Sequence, residues 1–309
     1  MMKDSLFYSK ILLFGEYGII QDAMGLSIPY NFYKGKFHLP EDKYSESNEH
    51  LRNYFTYLSY LDVSGKAVAK LDLVRFKRDL KNGLAFDSTI PQGFGVGSSG
   101  ALVAAIFNEY AIDKIDAENI NKTELTELKQ IFGQMESHFH GKSSGLDPLI
   151  CYLNLPVIIK SKEDLDTVGL PSQKVDSQGA IFLLNTNEPG ETQPMVQLFM
   201  EKMKEQGFRK MVKTELKKYN DECIATFLKG DFVPLFKNLK KLSAILLQNF
   251  SPMIPDQFQS IWKKGIESGD YYLKLCGSGG GGYILGFTRD YEQAKVQLKD
   301  YKLELVQRI

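Results

Sequence analysis

Apolar residues recur at helical spacing through residues 123–137. They lie three or four positions apart and are Leu125, Leu128, Ile131, Phe132 and Met135. This spacing places them on one face of a helix, with polar residues on the opposite face. Thr123 is suited to cap the N-terminus of this predicted helix, because its hydroxyl can accept a hydrogen bond from the first turn.

Shorter apolar runs predict strands, and longer mixed stretches predict further helices. Strands are expected at residues 11–14, 157–159, 180–184 and 303–309. Helices are expected at residues 51–61, 195–206, 211–229 and 232–248, around Trp262, and at 290–301. The polar residues between the second and third of these strands indicate a soft boundary, which gives domains of residues 1–178 and 179–309.

Glycines alternate in residues 91–101, ahead of an apolar run that suits a buried helix. Three glycines and two serines stand there in the order Gly93, Gly95, Gly97, Ser98 and Ser99. Glycine lets backbone N–H groups approach a ligand closely, and a helix that begins near Ser98 directs its positive end at the loop. A phosphate suits such a loop. A glycine-rich turn between a strand and a core helix explains the stretch equally well.

The loop matches neither of two common phosphate-binding motifs. It is not a P-loop, because no Lys follows its glycines. Its spacing also differs from the dinucleotide-binding pattern of glycines.

A second glycine-rich loop lies between two apolar runs near the C-terminus. Five of the six residues at positions 277–282 are glycine. Such a loop loses much conformational entropy on folding, which indicates close approach to a ligand or to another backbone segment. A flexible hairpin tip is the alternative.

Three charged residues stand beside apolar or glycine-rich segments. Lys10 begins an apolar strand, Glu16 follows it, and Asp147 follows a loop rich in Gly and Ser. Each also has an ordinary structural explanation. Lys10 fits a solvated strand edge, Glu16 fits a turn, and Asp147 precedes a proline, which is typical of turns.

The composition narrows the classes of partner. The chain has 309 residues, of which 43% are hydrophobic and 25% charged, and its formal net charge is zero. This balance gives no support for a nucleic-acid or membrane partner. The apolar runs are shorter than the roughly 18 residues of a spanning helix, and the first residues do not resemble a secretion signal. Three cysteines without a CxxC pair favour a reducing cytoplasm.

Taken together and in this order, the motifs resemble those of the GHMP kinases. Residues 10–16, 91–101 and 274–282 are similar to the first, second and third motifs of that family. Within the family, residues 140–147 and 185–192 are similar to two elements of the mevalonate kinases. The resemblance implies a two-domain α+β fold. Its N-terminal α/β domain would hold a left-handed βαβ phosphate loop, and its C-terminal domain would be ferredoxin-like.

The resemblance also implies ATP-dependent phosphoryl transfer to a small-molecule alcohol, with Mg²⁺ as the metal. Asp147 would accept or orient the substrate hydroxyl proton, Lys10 would lie beside Asp147, and Ser99 and Glu136 would hold Mg²⁺. The implied ATP-binding residues are Gly93, Gly95, Val96, Gly97, Ser98, Ser99, Gly100, Gly277, Ser278, Gly279 and Gly280. The implied substrate-binding residues are Glu16, Tyr17, Ser144 and Thr192.

Four positions differ from the mevalonate kinase pattern and bear on the choice of substrate. Tyr17 stands where His is usual, Ser143 where Pro is usual, Pro148 where Asn is usual, and Gly190 where Arg is frequent. Mevalonate is the expected substrate, and ATP and this alcohol are the expected partners. A homodimer is left open.

Several alternatives remain. Phosphomevalonate kinase and diphosphomevalonate decarboxylase are the alternatives within the family, although no arginine cluster lies beside the motifs to meet additional phosphates. A sugar kinase would carry a recognition signature that is missing near the N-terminus. A non-catalytic ATP-binding sensor would be expected to lack Lys10, Asp147 or a loop glycine, and all are present.

Overall fold

A computed structural model of the chain describes residues 5–39, 46–161, 164–172 and 177–309. The strands in these ranges are β1 (Phe7–Phe14), β2 (Gly25–His38), β3 (Ala85–Ser88), β4 (Val157–Ile159), β5 (Leu165–Thr167), β6 (Ala180–Asn185), β7 (Tyr271–Leu275), β8 (Tyr283–Thr288) and β9 (Leu303–Arg308). The α-helices are α1 (Glu46–Val63), α2 (Leu73–Lys81), α3 (Ser98–Tyr110), α4 (Lys122–His140), α5 (Leu146–Leu153), α6 (Thr192–Lys202), α7 (Gln206–Met211), α8 (Lys217–Leu228), α9 (Phe232–Asn249), α10 (Asp256–Ser268) and α11 (Tyr291–Gln297).

The strands form two sheets. The first has the order β1-β2-β4-β5, and β3 pairs with the C-terminal part of β2. The second has the order β7-β8-β6-β9, and all its neighbours are antiparallel. Along the chain it reads as strand, helices, two strands, helix and strand, which is the ferredoxin-like arrangement. The ferredoxin-like prediction is confirmed, and β9 pairs with β6 inside this sheet.

The chain divides into two compact units. The first contains Met1–Lys10, Pro29–Gln92 and Gly97–Leu155, and the second contains Ile11–Ile28, Gly93–Val96 and Pro156–Ile309. Each unit is therefore discontinuous in sequence. The residues that carry the candidate chemistry are described below within the unit to which they belong.

Helix α3 lies at the centre of the first unit. Eight of its 13 residues are buried, most of them apolar, and it contacts both α4 and α5. The ring of Phe107 on α3 meets Phe132 of α4 and Tyr152 of α5 edge to face, with centroids 5.1 and 5.4 Å apart. Such contacts add to the free energy of burial. They hold the three helices that carry candidate residues against one another.

The core of the second unit joins the four-stranded sheet to α8, α9 and α10. Helix α9 packs against α8, α10 and β7. Trp262 of α10 is wholly buried, and its indole N–H donates to the carbonyl oxygen of Ser243 at 3.1 Å. This hydrogen bond satisfies the polar atom that burial would otherwise leave unpaired. The core therefore supports β7, the strand that leads into the second glycine loop.

The predicted cap of α4 is wrong. Asn121 caps this helix, since its side-chain oxygen accepts from the N–H groups of Thr123 at 2.9 Å and Glu124 at 3.0 Å. Glu124 completes a capping box by accepting from the N–H of Asn121 at 2.9 Å. Thr123 lies inside the first turn because these reciprocal hydrogen bonds place the helix start before it.

Other helix ends differ from the prediction as well. The predicted helix at residues 195–206 begins earlier, at Thr192, and is followed by a separate α7. The predicted helix at 211–229 contains a π-helical turn, Val212–Leu216, before α8. The last helix, predicted at residues 290–301, spans Tyr291–Gln297. None of the helices in the described ranges is long and apolar enough to cross a membrane.

The capping box yields a stability prediction. We expect Asn121→Ala to lower the free energy of unfolding by about 1 kcal/mol, because two N–H groups of the first turn lose their acceptor. Thr123→Ala is the matched control, since Thr123 contributes its backbone N–H, which the substitution keeps. Equilibrium unfolding in urea, followed by circular dichroism, measures both values. Equal losses in the two variants would contradict this assignment of the cap.

Candidate active site

Lys10 and Asp147 form an ion pair in the first unit. The Lys10 ammonium lies 2.9 Å from Oδ2 of Asp147, and the two side chains are 4% and 39% exposed. Strand β1 carries Lys10 between Ser9 and the apolar run that starts at Ile11, and Asp147 lies in the first turn of α5. The N-terminus of a helix favours a carboxylate, so α5 and Lys10 both stabilise the negative charge of Asp147. The partly exposed carboxylate is the accessible member of the pair.

Two glycines of the second motif allow the N-terminus of α3 to lie close to this ion pair. Gly97 has φ +84°, and a Cβ on it would lie 2.9 Å from Cγ of Lys10. A Cβ on Gly100 would lie 2.8 Å from the carbonyl carbon of Asp147. Neither position accepts a side chain without movement of its neighbour. The N-terminus of α3 is therefore held directly against the Lys10–Asp147 pair.

A second carboxylate, Glu136 of α4, lies nearby and is hydrogen-bonded at both oxygens. Ser99 donates to its Oε1 at 2.9 Å, and Ser143 donates to its Oε2 at 2.5 Å. Ser143 also accepts from the N–H of Gly145, the residue before α5. Helices α3 and α4 and the loop before α5 thus each contribute to one cluster of oxygen atoms.

The environment of Glu136 disfavours its charged form. Burial raises the pKa of Glu136 to about 7, and repulsion from Asp147 adds to this effect. The hydroxyl groups of Ser143 and Ser99 and the charge of Lys10 oppose the shift in pKa but do not cancel it. Two carboxylates therefore share one nearby ammonium, and a further cation would be stabilised here.

The donor set fits Mg²⁺. Ser99 and Glu136 supply a hydroxyl and a carboxylate, both hard oxygen ligands of the kind that Mg²⁺ prefers. The structure forms no group of three or more His, Cys, Asp and Glu side chains suited to a metal within the described ranges. A site with so few protein ligands matches a metal that takes most of its shell from water and phosphate.

The glycines of the second unit are required by contacts between backbone segments. A Cβ on Gly93 would lie 2.7 Å from Cβ of Pro189, and one on Gly95 would lie 2.6 Å from the carbonyl oxygen of Cys276. The N–H of Gly190 donates to the carbonyl oxygen of Gly93 at 2.8 Å. The side chain of Val96, which ends this segment, is wholly buried.

The second glycine loop, which we call the glycine hairpin (residues 276–282), is enclosed in the same way. A Cβ on Gly282 would lie 2.6 Å from Cα of Phe94, and one on Gly281 would lie 2.8 Å from the carbonyl of Pro189. The N–H of Gly282 donates to Glu188, and that of Gly280 donates to Met253. Close packing against other backbone segments, one of the two explanations offered by the sequence, accounts for these glycines.

Glu16 and Lys274 form a buried ion pair in the second unit. The ammonium of Lys274 lies 2.5 Å from Oε1 of Glu16, with the side chains 2% and 5% exposed. Lys274 also donates to the carbonyl oxygen of Leu275 at 2.9 Å and lies over the ring of Phe14. The carboxylate that was expected to meet the substrate is thus engaged by the strand that leads into the glycine hairpin.

Tyr17 is buried and contacts the glycine hairpin. Its hydroxyl donates to the carbonyl oxygen of Ser278 at 2.6 Å, and its ring packs against Phe199 and Phe250. Burial raises its pKa, with a further contribution from Glu16, so the hydroxyl remains a donor at neutral pH. Thr192 accepts a hydrogen bond from the side chain of Ser278 at 3.3 Å.

The predicted residues thus fall into two sets. The first unit holds Lys10, Gly97, Ser98, Ser99, Gly100, Glu136, Ser144 and Asp147; the second holds Glu16, Tyr17, Gly93, Gly95, Val96, Thr192, Gly277, Ser278, Gly279 and Gly280. Ser144 is exposed and accepts, at 3.4 Å, from the N–H of Leu146 at the start of α5.

Sequence reasoning missed the roles of three residues. The sequence shows Lys274 only as the start of a motif, although a glutamate just after β1 and a lysine within β7 are opposite charges that signal a buried pair. Ser143 was noted as a departure from a family pattern, without its hydrogen bond to Glu136. Cys151 carried no signal, yet its thiol lies 3.8 Å from the carbonyl oxygen of Gly97.

Comparison with known families identifies part of the chain. Residues 65–154 match the model of the GHMP kinases N-terminal domain. This segment is a GHMP kinase N-terminal domain. It contains Ser99, Glu136 and Asp147, and the predicted resemblance to the GHMP kinases is confirmed. No curated protein matches the sequence of the chain at a significant level.

Solved structures of GHMP kinases share the fold. L. major mevalonate kinase in complex with R-mevalonate is 16% identical, with a TM-score of 0.63 over 100% of this chain and 97% of that chain. Streptococcus pneumoniae phosphomevalonate kinase in complex with phosphomevalonate and AMPPNP is 14% identical, with a TM-score of 0.66 over 100% of both chains. Lactococcus lactis galactokinase complexed with galactose is 14% identical, with a TM-score of 0.66 over 98% and 92%. The predicted fold is confirmed.

The raised pKa of Glu136 predicts how stability depends on pH. A carboxyl whose pKa is raised in the folded state contributes fully to stability when the pH is below its ordinary pKa. This contribution is lost as the pH rises through the folded-state pKa of about 7. Glu136→Gln keeps the shape but cannot ionise. Without metal, we expect this variant to be more stable than the wild type at pH 8 by roughly 1–3 kcal/mol and to differ little at pH 5.

Urea unfolding in the presence of EDTA at both pH values measures this difference. Glu127→Gln is the control, because Glu127 lies on the same helix and is exposed. It should leave the dependence of stability on pH unchanged. A gain from Glu136→Gln that is the same at both pH values would contradict the raised pKa.

Proposed function

We propose that this chain is an ATP-dependent phosphotransferase that acts on a small-molecule alcohol, with mevalonate as the first candidate substrate. The observation that carries this proposal is the Lys10–Asp147 ion pair at 2.9 Å, held against the N-terminus of α3. Phosphoryl transfer needs positioned groups and neutralised charge more than covalent chemistry by the protein. The first unit supplies both with few residues.

Asp147 is suited to receive the proton of the substrate hydroxyl. Its carboxylate is partly exposed, whereas the ammonium of Lys10 is almost fully buried and faces it. In the proposed reaction the hydroxyl oxygen forms a bond to the γ-phosphorus, the bond from that phosphorus to ADP breaks, and the proton passes to Asp147. Lys10 orients the carboxylate and offsets the negative charge that gathers around the transferred group.

The start of α3 is suited to the phosphates of ATP. Helix α3 has 13 residues, and its N-cap is Gly97, which has no side chain to cap the helix. The N–H groups of its first turn and the helix dipole favour an anion. Ser99 and Glu136 would hold Mg²⁺, which neutralises phosphate charge when bound. Because Glu136 has a pKa of about 7, the metal and the proton compete for this carboxylate near neutral pH.

The choice of alcohol rests on the motifs and on the ligands of the structural neighbours. The structural neighbours include proteins solved with R-mevalonate, phosphomevalonate and galactose, all of which carry hydroxyl groups. The resemblance of residues 140–147 and 185–192 to mevalonate kinase elements favours mevalonate. A phosphomevalonate kinase or a diphosphomevalonate decarboxylase is the second candidate, and a non-catalytic ATP-binding sensor is the third.

A panel of alcohols tests the reaction and the substrate separately. We expect purified protein with ATP and Mg²⁺ to release ADP faster when mevalonate is added than with phosphomevalonate, homoserine or galactose. A coupled assay of ADP release gives the rates. If no alcohol accelerates ADP release, the kinase proposal is wrong. If phosphomevalonate alone does so, the kinase proposal stands and mevalonate is replaced.

Removal of the proton acceptor should separate chemistry from binding. We expect Asp147→Asn to lower kcat by at least about 100-fold, because the hydroxyl loses its base, while the Kd for ATP changes little. Isothermal titration and the coupled assay give the two values. Asp166→Asn is the control, since Asp166 pairs with Lys160 on an exposed surface. Turnover close to wild type in Asp147→Asn would remove Asp147 from this role.

A further inference from the structure

Two buried polar contacts join the turn after β1 to the glycine hairpin and to the strand before it, β7. One is the Glu16–Lys274 ion pair at 2.5 Å, and the other is the hydrogen bond at 2.6 Å from the Tyr17 hydroxyl to the carbonyl oxygen of Ser278. We call these two contacts the hairpin clamp. The first contact reaches Lys274 on β7, the strand that leads into the hairpin, and the second reaches Ser278 within the hairpin.

The backbone of Tyr17 is strained. Its φ and ψ are +60° and −36°, a conformation that bulky side chains rarely adopt. Such strain persists only where the surroundings determine it, and it concentrates at functional positions. Here the surroundings are the rings of Phe199 and Phe250, with centroids 4.7 and 5.6 Å from that of Tyr17, and the carbonyl of Ser278.

The residues of the turn are poorly placed to contact an alcohol. Tyr17 is 6% exposed, and its hydroxyl proton is donated to Ser278. The side chain of Glu16 is 5% exposed and engaged by Lys274. A substrate would have to break one of these buried contacts, which leaves a partner unsatisfied at a considerable cost in free energy.

We propose that Glu16 and Tyr17 are positioning residues that hold the glycine hairpin in its nucleotide-binding conformation and do not contact the alcohol. This inference rests on the proposed function, since it assumes that the hairpin binds ATP. Five glycines make residues 277–282 costly to order. A clamp that orders the hairpin in advance lowers the entropy that ATP binding must otherwise overcome.

The alternative is that the backbone contacts of the glycines suffice. Gly280 and Gly282 already donate to Met253 and Glu188. On that account, loss of the Tyr17 hydroxyl has no effect on the hairpin. The two accounts predict different deuterium uptake at the N–H groups of the hairpin. They also predict different effects on the binding of ATP.

Tyr17→Phe is the variant that decides between them, because it removes one hydroxyl and keeps the buried ring. We expect the Kd for ATP, measured by isothermal titration, to rise about two- to tenfold, as for the loss of one hydrogen bond. The KM for ATP should rise with it, while the KM for the alcohol stays unchanged. Deuterium uptake at residues 277–282, measured by mass spectrometry without ligand, should increase.

Tyr271→Phe is the matched control. Tyr271 is also buried in the second unit, and its hydroxyl donates to a backbone carbonyl, that of Ile261, at 2.8 Å. It should change neither the Kd for ATP nor the uptake of the hairpin. Glu16→Gln tests the other half of the clamp without activity, because it keeps an acceptor for Lys274 and weakens the pair, so uptake should again increase.

Three results would overturn the inference. A rise in the KM for the alcohol alone in Tyr17→Phe would make Tyr17 a substrate contact. Unchanged ATP binding and unchanged deuterium uptake in Tyr17→Phe would show that the backbone contacts of the glycines alone order the hairpin. If the wild type binds no ATP and turns over no alcohol, the proposed function fails together with this inference, whereas the first two results leave the proposed function intact.

Discussion

Close approach between backbone segments is the constraint on which the candidate site depends. The lack of a side chain at Gly97 leaves room for the side chain of Lys10. In the same way, Gly100 leaves room for the backbone of Asp147, and Gly95 for that of Cys276. A single methyl group at any of these positions would overlap an atom of a neighbouring segment. Because protein interiors are packed at crystal-like density, such an overlap cannot be absorbed without displacement of the charged groups nearby. The geometry of the charges is thus determined by positions that carry no side chain.

Buried charges form the second level of organisation, and the two pairs serve different purposes. Asp147, the partner of Lys10, is partly exposed, as the proposed transfer of a proton from a ligand requires. The Glu16–Lys274 pair is enclosed on both sides. A buried pair of that kind contributes little net stability compared with apolar residues, but loss of one partner costs much. Its value lies in fixing one arrangement of the segments that it joins.

The sequence located the elements that depend on local signals. The apolar period identified α4, and the two glycine-rich stretches identified the loops around the site, since few other residues tolerate positive φ. It could not reveal which segment each glycine meets, because Gly282 and Phe94 are brought together only by the tertiary fold. The exact start of α4 was also missed, since Asn121 and Thr123 are both acceptable caps and only their hydrogen bonds separate them.

The thiol of Cys151 has a consequence for how this region can be observed. Burial raises its pKa well above the ordinary value, and the neighbouring Asp147 carboxylate adds to the shift. Only a thiolate reacts readily with alkylating agents and oxidants, so the folded protein protects this sulfur. Because Cys151 lies on α5 beside the carbonyl of Gly97, the rate at which its thiol is labelled measures how often α5 separates from the start of α3.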